Sequence, residues 1–156
     1  YYKEHRLRPV IVRLFNTVGP RQTGKYGMVI PRFVSQALSG EPITVYGDGE
    51  QSRCFCHVQD AVRGLLSLER HESADGDIFN LGSRESVTVN QLAHRVKEIC
   101  GSSSEIVHIP YDEAYEPGFE DMHHRAPDIG KIYALTGWCP EFKLRRIISD
   151  IVECRN

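Results

Sequence analysis

The residues best placed to do chemistry lie in one stretch, Gly47-Asp48-Gly49-Glu50-Gln51-Ser52-Arg53-Cys54-Phe55-Cys56-His57-Val58-Gln59-Asp60. Two glycines around Asp48 read as a tight turn. The run after it reads as a strand carrying a single arginine, and Asp60 stands where an N-cap would start a helix with apolar positions Ala61, Val62, Leu65, Leu66 and Leu68. An arginine fixed on such a framework suits a phosphate, because its planar fork donates two parallel charged hydrogen bonds and never loses its proton. A solvated surface salt bridge is the alternative use of Arg53.

Three nearby patterns imitate other chemistry. Gly47-x-Gly49-x-x-Ser52 approaches a dinucleotide fingerprint, whose glycines must open a helix so that pyrophosphate meets its N-terminus. A strand-like run follows here instead, so the segment reads as a hairpin turn. Cys54-x-Cys56-His57 offers zinc-ligand types, but successive strand residues face opposite sides and no second ligand pair follows at zinc spacing. His123-His124 are adjacent residues, which rarely share one ion, and read as exposed loop histidines. No metal is expected.

The elements that must position Arg53 follow from periodicity. Arg8-Pro9-Val10-Ile11-Val12-Arg13-Leu14-Phe15 suits a buried parallel strand, preceded by a charged segment that reads as the tail of a helix. Asn16 to Pro20 leaves that strand as a loop, and in open α/β sheets ligands sit at the strands' carboxyl ends. Asn16 there would offer an amide that both donates and accepts, or act only as a turn residue bonding its own backbone. The glycine-rich loop from Arg21 to Met28 is placed to move over a ligand. A helix from Val29 follows, with Ile30, Phe33, Val34, Ala37 and Leu38 on one face and Gly40 as its stop. Short strands are expected at Ile43–Tyr46, Asp77–Gly82 and Ile106–Tyr111. Thr88-Val89-Asn90-Gln91 has capping-box spacing before a helix stopped by Gly101. Tyr111 to His124 reads as irregular, Asp128 as the cap of a short helix through Ile132 and Leu135, and the segment from Leu144 to Val152 as a final amphipathic helix.

Composition narrows the class. The formal net charge of −2 implies no broad basic face for nucleic acid, and no apolar run reaches membrane-spanning length. Five cysteines, an odd number, fit reduced thiols in a cytoplasm better than a secreted disulfide framework. A start at Tyr1 without an initiator methionine or signal peptide reads as a fragment.

Three motifs together resemble a known family. They are Arg13-Leu14-Phe15-Asn16-Thr17-Val18-Gly19-Pro20-Arg21, then Val45-Tyr46-Gly47-Asp48-Gly49 with Gln51-x-Arg53-x-Phe55-x-His57-Val58-x-Asp60, and lastly Arg125-Ala126-Pro127-Asp128-Ile129-x-Lys131 with Leu135-x-Gly137-Trp138-x-Pro140. In order and spacing they resemble the NAD-dependent epimerase/dehydratase family, extended short-chain dehydrogenases that act on nucleotide sugars. His124 and Gly130 depart from the residues more usual there. The resemblance implies an α/β fold, the C-terminal substrate-binding lobe of an extended doubly wound enzyme with a late strand of its parallel sheet, spanning residues 1–156.

The same resemblance implies residue roles. Leu14 and Phe15 would line the nicotinamide side of NAD. Arg53 and Arg125 would grip the diphosphate of a nucleotide sugar, with Asn16 beside it and Phe55 in the same site. Backbone around Val29, Thr44 and Tyr46 would surround the base, uracil in the commonest members. For the whole protein it implies 4-epimerisation of a UDP-sugar through a 4-keto intermediate, with UDP-glucuronate decarboxylation or 4,6-dehydration as alternatives, and a homodimer. No tyrosine has a lysine four positions on, so the Tyr-x-x-x-Lys pair that abstracts the hydroxyl proton is expected upstream, and no catalytic residue is assigned here. A non-catalytic nucleotide-sugar-binding or RNA-associated module of the same fold is the reading from another class.

Overall fold

β-Branched runs too short to span more than a few residues, separated by helical periods, dictate layers of small sheets and helices. The computed structural model describes residues 2–5, 8–24, 27–114 and 122–155. In chain order the elements are α1 (Tyr2–His5), β1 (Ile11–Leu14), β2 (Thr17–Val18), α2 (Val29–Ser39), β3 (Ile43–Tyr46), β4 (Ser52–Cys54), β5 (Cys56–His57) and α3 (Val58–Glu69). A 3-10 turn at Glu72–Ala74 leads to β6 (Ile78–Leu81), β7 (Ser86–Thr88), α4 (Val89–Cys100), β8 (Ile106–Ile109), α5 (Tyr111–Ala114), β9 (His124–Arg125), α6 (Gly130–Thr136) and α7 (Leu144–Glu153).

Parallel pairing dominates. β1 lies parallel to β6, β2 to β5, and β3 to β8, while β4 is flanked by antiparallel β7 and parallel β9. Two apolar clusters hold these pieces. One joins Phe33, Val34, Val45, Leu92, Ile147 and Ile148 from α2, β3, α4 and α7. The other joins Leu68, Phe79, Leu81, Ile132 and Trp138 around β6. Phe33 and Leu92 are fully shut from solvent, each stabilising by about 1.5–3 kcal/mol.

Local signals are well obeyed in α2 and α4. Gly40 and Gly101 stop them in the left-handed conformation, at φ 71° and 60°. Thr88 accepts from Gln91 N while the Gln91 side chain accepts from Thr88 N, a complete capping box. At α6 the N-cap position is Ile129, yet the Asp128 carboxylate accepts from Gly130 N at 2.8 Å and so performs the capping expected of it.

Several expectations are corrected by non-local pairing. The turn at residues 47–49 is no hairpin, since β3 pairs with β8 and β4 with β7 and β9. It passes the chain from one sheet to another, with Gly49 at φ 74° where a Cβ would lie 2.1 Å from Asn90 Oδ1. β1 is shorter than the apolar run, and Ile11 and Leu14 are 51% and 48% exposed rather than buried, because β6 is its only partner among the described residues. Ile106 to Tyr111 is not one strand: β8 ends at Ile109 and Tyr111 opens α5. The stretch read as irregular holds β9, although residues 115–121 of it, like 25–26 in the glycine-rich loop, lie outside the described residues.

The helix after the arginine strand differs most. α3 begins at Val58 with His57 as its N-cap, the ring Nδ1 accepting from Gln59 N at 3.0 Å. Its buried face is Asp60, Ala61, Gly64 and Leu68, while Val62, Leu65 and Leu66 of the expected core face are exposed. Asp60 caps elsewhere. Its Oδ2 accepts from Glu141 N and Phe142 N at 3.0 Å each, its Oδ1 from Arg63 at 2.6 Å, and its carbonyl from Trp138 Nε1.

Candidate functional site

Alternation along residues 51–55 puts Gln51, Arg53 and Phe55 on one face of the strand. All three line a cavity of about 180 Å³, with Asn16 from the end of β1, Val29 from the start of α2 and Tyr46 from the end of β3. Five of the nine residues singled out from sequence are therefore brought together here: Asn16, Val29, Tyr46, Arg53 and Phe55. The four others, Leu14, Phe15, Thr44 and Arg125, do not form this wall.

Arg53 is half-buried and held at both ends of its strand, its Nη1 donating to Ser52 O at 2.8 Å and Met122 O at 2.7 Å. β9 lies beside it so that Arg53 and Arg125 are register partners on neighbouring parallel strands, a separation of about 4.8 Å between backbones. The exposed Arg125 guanidinium sits 5.4 Å from the Phe15 ring centroid. Two guanidiniums with no carboxylate between them make a strongly anion-seeking spot beside the cavity.

Close packing at Gly82 draws the first and third motifs together. A Cβ there would meet Phe15 Cβ at 2.9 Å and Pro127 Cγ at 2.8 Å, so only glycine lets the Arg125-Ala126-Pro127 loop lie against the end of β1. Phe15 N donates to Leu81 O at 2.9 Å, which aligns the carboxyl ends of β1 and β6. Leu14 thereby presents an apolar side chain at the position where α/β sheets take ligands.

Two expected residues do other work. Asn16, at φ 36°, spends its amide donor on Cys54 O at 2.9 Å and ties the end of β1 to β4. Thr44 is set behind the wall: its N–H donates to Gln36 Oε1, and its carbonyl accepts from Arg32 Nη2 at 3.0 Å.

Arg32, Gln51 and Tyr111 line the cavity without having been singled out from sequence. Gln51 was legible, standing two residues before Arg53 in a strand of period two. Arg32 lies one helical turn after Val29, while nothing in the sequence marked Tyr111. The Arg32 guanidinium stacks 4.2 Å from the Tyr46 ring centroid, and Gln51 Nε2 donates to Tyr46 O at 3.2 Å and Tyr111 Oη at 2.8 Å.

Thiolate chemistry is absent from this site. Burial first, and then the charge of Asp60, against the opposing pull of Arg63, push the Cys56 thiol up to about 12. Burial also raises Cys54, with a Ser86 hydrogen bond acting the other way. Among the described residues no three His, Cys, Asp or Glu side chains gather as a metal site, and no helix is long and apolar enough to cross a membrane.

A parallel-strand crevice flanked by paired arginines defines a nucleotide-binding α/β protein, and comparison with known proteins gives the family. The chain belongs to the NAD dependent epimerase/dehydratase family, whose model matches residues 1–82. It is 37% identical over 153 residues to the UDP-N-acetyl-alpha-D-glucosaminuronate decarboxylase of Bacillus cytotoxicus, covering 97% of this chain and 47% of that protein. It is 40% identical over 153 residues to UDP-glucuronic acid decarboxylase 4 of Arabidopsis thaliana, covering 98% of this chain and 33% of that one. The crystal structure of a UDP-glucose 4-epimerase with UDP-glucose from Thermotoga maritima superposes with a TM-score of 0.87 at 33% identity, over 99% of this chain and 48% of that one. The chain thus spans between a third and a half of the length of these relatives.

Proposed function

We propose that residues 1–156 are the substrate-binding part of an NAD-dependent enzyme acting on a UDP-sugar through a 4-keto intermediate. The observation that carries this reading is the register pairing of Arg53 with Arg125 beside the cavity. A diphosphate there accepts charge-assisted hydrogen bonds from both without needing a metal. Uncovered apolar surface on β1 and on the outer face of α3 supports the reading as part of a larger fold, since a helix apolar all round is normally buried all round.

Leu14 and Phe15 are the residues of this chain that would face NAD, and the exposed Leu14 side chain at a strand's carboxyl end fits an apolar ring. NAD, when bound, supplies the oxidation of the sugar C4 hydroxyl to a ketone. The chain's own share is to fix the diphosphate at Arg53 and Arg125, so that the sugar is directed past Phe55 toward the end of β1. Decarboxylation of a UDP-hexuronate is favoured by the relatives at 37% and 40% identity. Epimerisation at C4 is the second reading, favoured by the structural likeness to the Thermotoga maritima enzyme. A homodimer in the cytoplasm is proposed for the whole protein, the latter because its five cysteines are all free.

Calorimetric titration of UDP into the intact protein tests the arginine pair. Loss of hydrogen bonds to a charged group costs about 1.5–3 kcal/mol, so Arg53→Ala and Arg125→Ala are each expected to weaken UDP by roughly one to two decades. Arg53→Lys should rescue only in part, because a point charge lacks the fork. Unchanged UDP affinity in folded Arg53→Ala and Arg125→Ala would end this reading.

A further inference from the structure

Gln51 is 7% exposed, yet its Oε1 accepts no hydrogen bond among the described residues. The amide cannot turn to relieve this. Its Nε2 is committed to two acceptors on the cavity wall, Tyr46 O and Tyr111 Oη, so the oxygen is fixed as a standing acceptor. Arg32 is in the complementary position. Its Nη2 is spent on Thr44 O and its plane on the Tyr46 ring, while its Nε is buried without a partner among the described residues. One wall of one cavity therefore carries an open acceptor and an open donor. Buried polar groups in native structures are paired, and those that are not await something.

We propose that Gln51 is a specificity-determining residue that reads the ribose 2′,3′-diol of the bound nucleotide, making the substrate class ribonucleoside diphosphate sugars rather than their deoxyribose counterparts. The inference rests on the nucleotide-sugar reading above. Gln51 stands two strand residues from Arg53, about 6.6 Å along the chain. Phe55 lies on the other side, toward Asn16 and the end of β1. With the diphosphate at Arg53 and the hexose directed to the β1 end, the group that reaches Gln51 is the one on the far side of the phosphates, the ribose. Each hydroxyl of a vicinal diol both donates and accepts, so a diol can donate to Gln51 Oε1 and accept from Arg32 Nε. A deoxy sugar leaves a buried group unpaired, and that penalty is the source of discrimination.

The test is calorimetric titration of UDP, 2′-deoxy-UDP and 3′-deoxy-UDP into the intact wild-type protein and into Gln51→Met and Gln51→Glu. Wild type is expected to bind UDP about tenfold or more tightly than at least one deoxy analogue. In Gln51→Met that preference should collapse toward unity, whereas Gln51→Glu, which keeps an acceptor oxygen, should retain it. A merely structural Gln51 would weaken all three ligands together and leave the ratio unmoved, which overturns the inference. Equal binding of all three by wild type overturns it too, and does so even if Gln51→Met fails to fold. Both of those outcomes leave UDP binding, and the nucleotide-sugar reading, intact. No binding of UDP by wild type would instead remove the reading and the inference together.

Discussion

At the scale of single residues, the chain separates side chains that face a ligand from side chains that hold the frame. Arg53 and Gln51 belong to the first kind by position on the cavity wall. His57 and Asp60, from the same motif, belong to the second: both are fully buried, and His57 stacks on Phe142 at 4.4 Å with its Nε2 3.2 Å from Asp150 Oδ2. The cysteines divide in the same way. Cys54 and Cys56 are buried and their thiols raised, Cys100 is raised by its own burial, and only Cys139 and Cys154 are exposed. The thiolate is the reactive form, so titration with a thiol reagent near pH 8 is expected to find two fast thiols, the remaining three appearing only on denaturation. Rapid reaction of all five would mean that the β4–β5 segment opens freely in solution.

At the scale of elements, the decisive joint is that between α3 and the segment before α7. Asp60 satisfies two backbone amides there and pairs with Arg63, which also donates to Cys139 O at 2.8 Å. Removing the carboxylate strands those buried donors, a loss of about 3–5 kcal/mol when an ion pair is shut from water. Arg63 keeps 40% of its side chain in solvent, which draws the expected cost of Asp60→Ala to the lower end, about 3 kcal/mol. Asp60→Asn keeps a carbonyl for one amide and should cost less. Urea unfolding midpoints in the order wild type, Asn, Ala check this, and an Ala midpoint equal to wild type would show the joint to be idle.

At the scale of the whole molecule, this chain holds binding apparatus without a recognisable proton-abstracting pair. No Tyr-x-x-x-Lys occurs in its sequence. Purified residues 1–156 supplied with NAD and UDP-glucose or UDP-glucuronate are therefore expected to form no product, followed by chromatography of the nucleotide sugars. Measurable turnover would place the base within these residues. The open groove of about 640 Å³ along α3, lined by Val58, Val62 and Leu66 with Arg21, Arg63 and Arg70, belongs to the same apolar surface as the exposed side of β1.

Sequence alone determined what depends on neighbours in the chain. The capping box at Thr88, the glycine stops of α2 and α4, and the strand presentation of Arg53 are set by residues within a few positions of each other, so local chemistry was enough to read them. The family followed from three such motifs. Tertiary structure decided everything whose partner is distant. Asp60 looked like the start of a helix because its true acceptees, Glu141 and Phe142, lie some eighty residues away. The Gly47–Gly49 turn looked like a hairpin because nothing local says that β3 will prefer β8 and β4 will prefer β7 and β9. Periodicity marked α3 as apolar without saying which of its faces would find Phe79 and Trp138. Burial of Gln51 Oε1 without a partner depends on Tyr46 and Tyr111 converging from separate elements, because hydrogen bonds between side chains are settled only when the chain segments that carry them have been packed together.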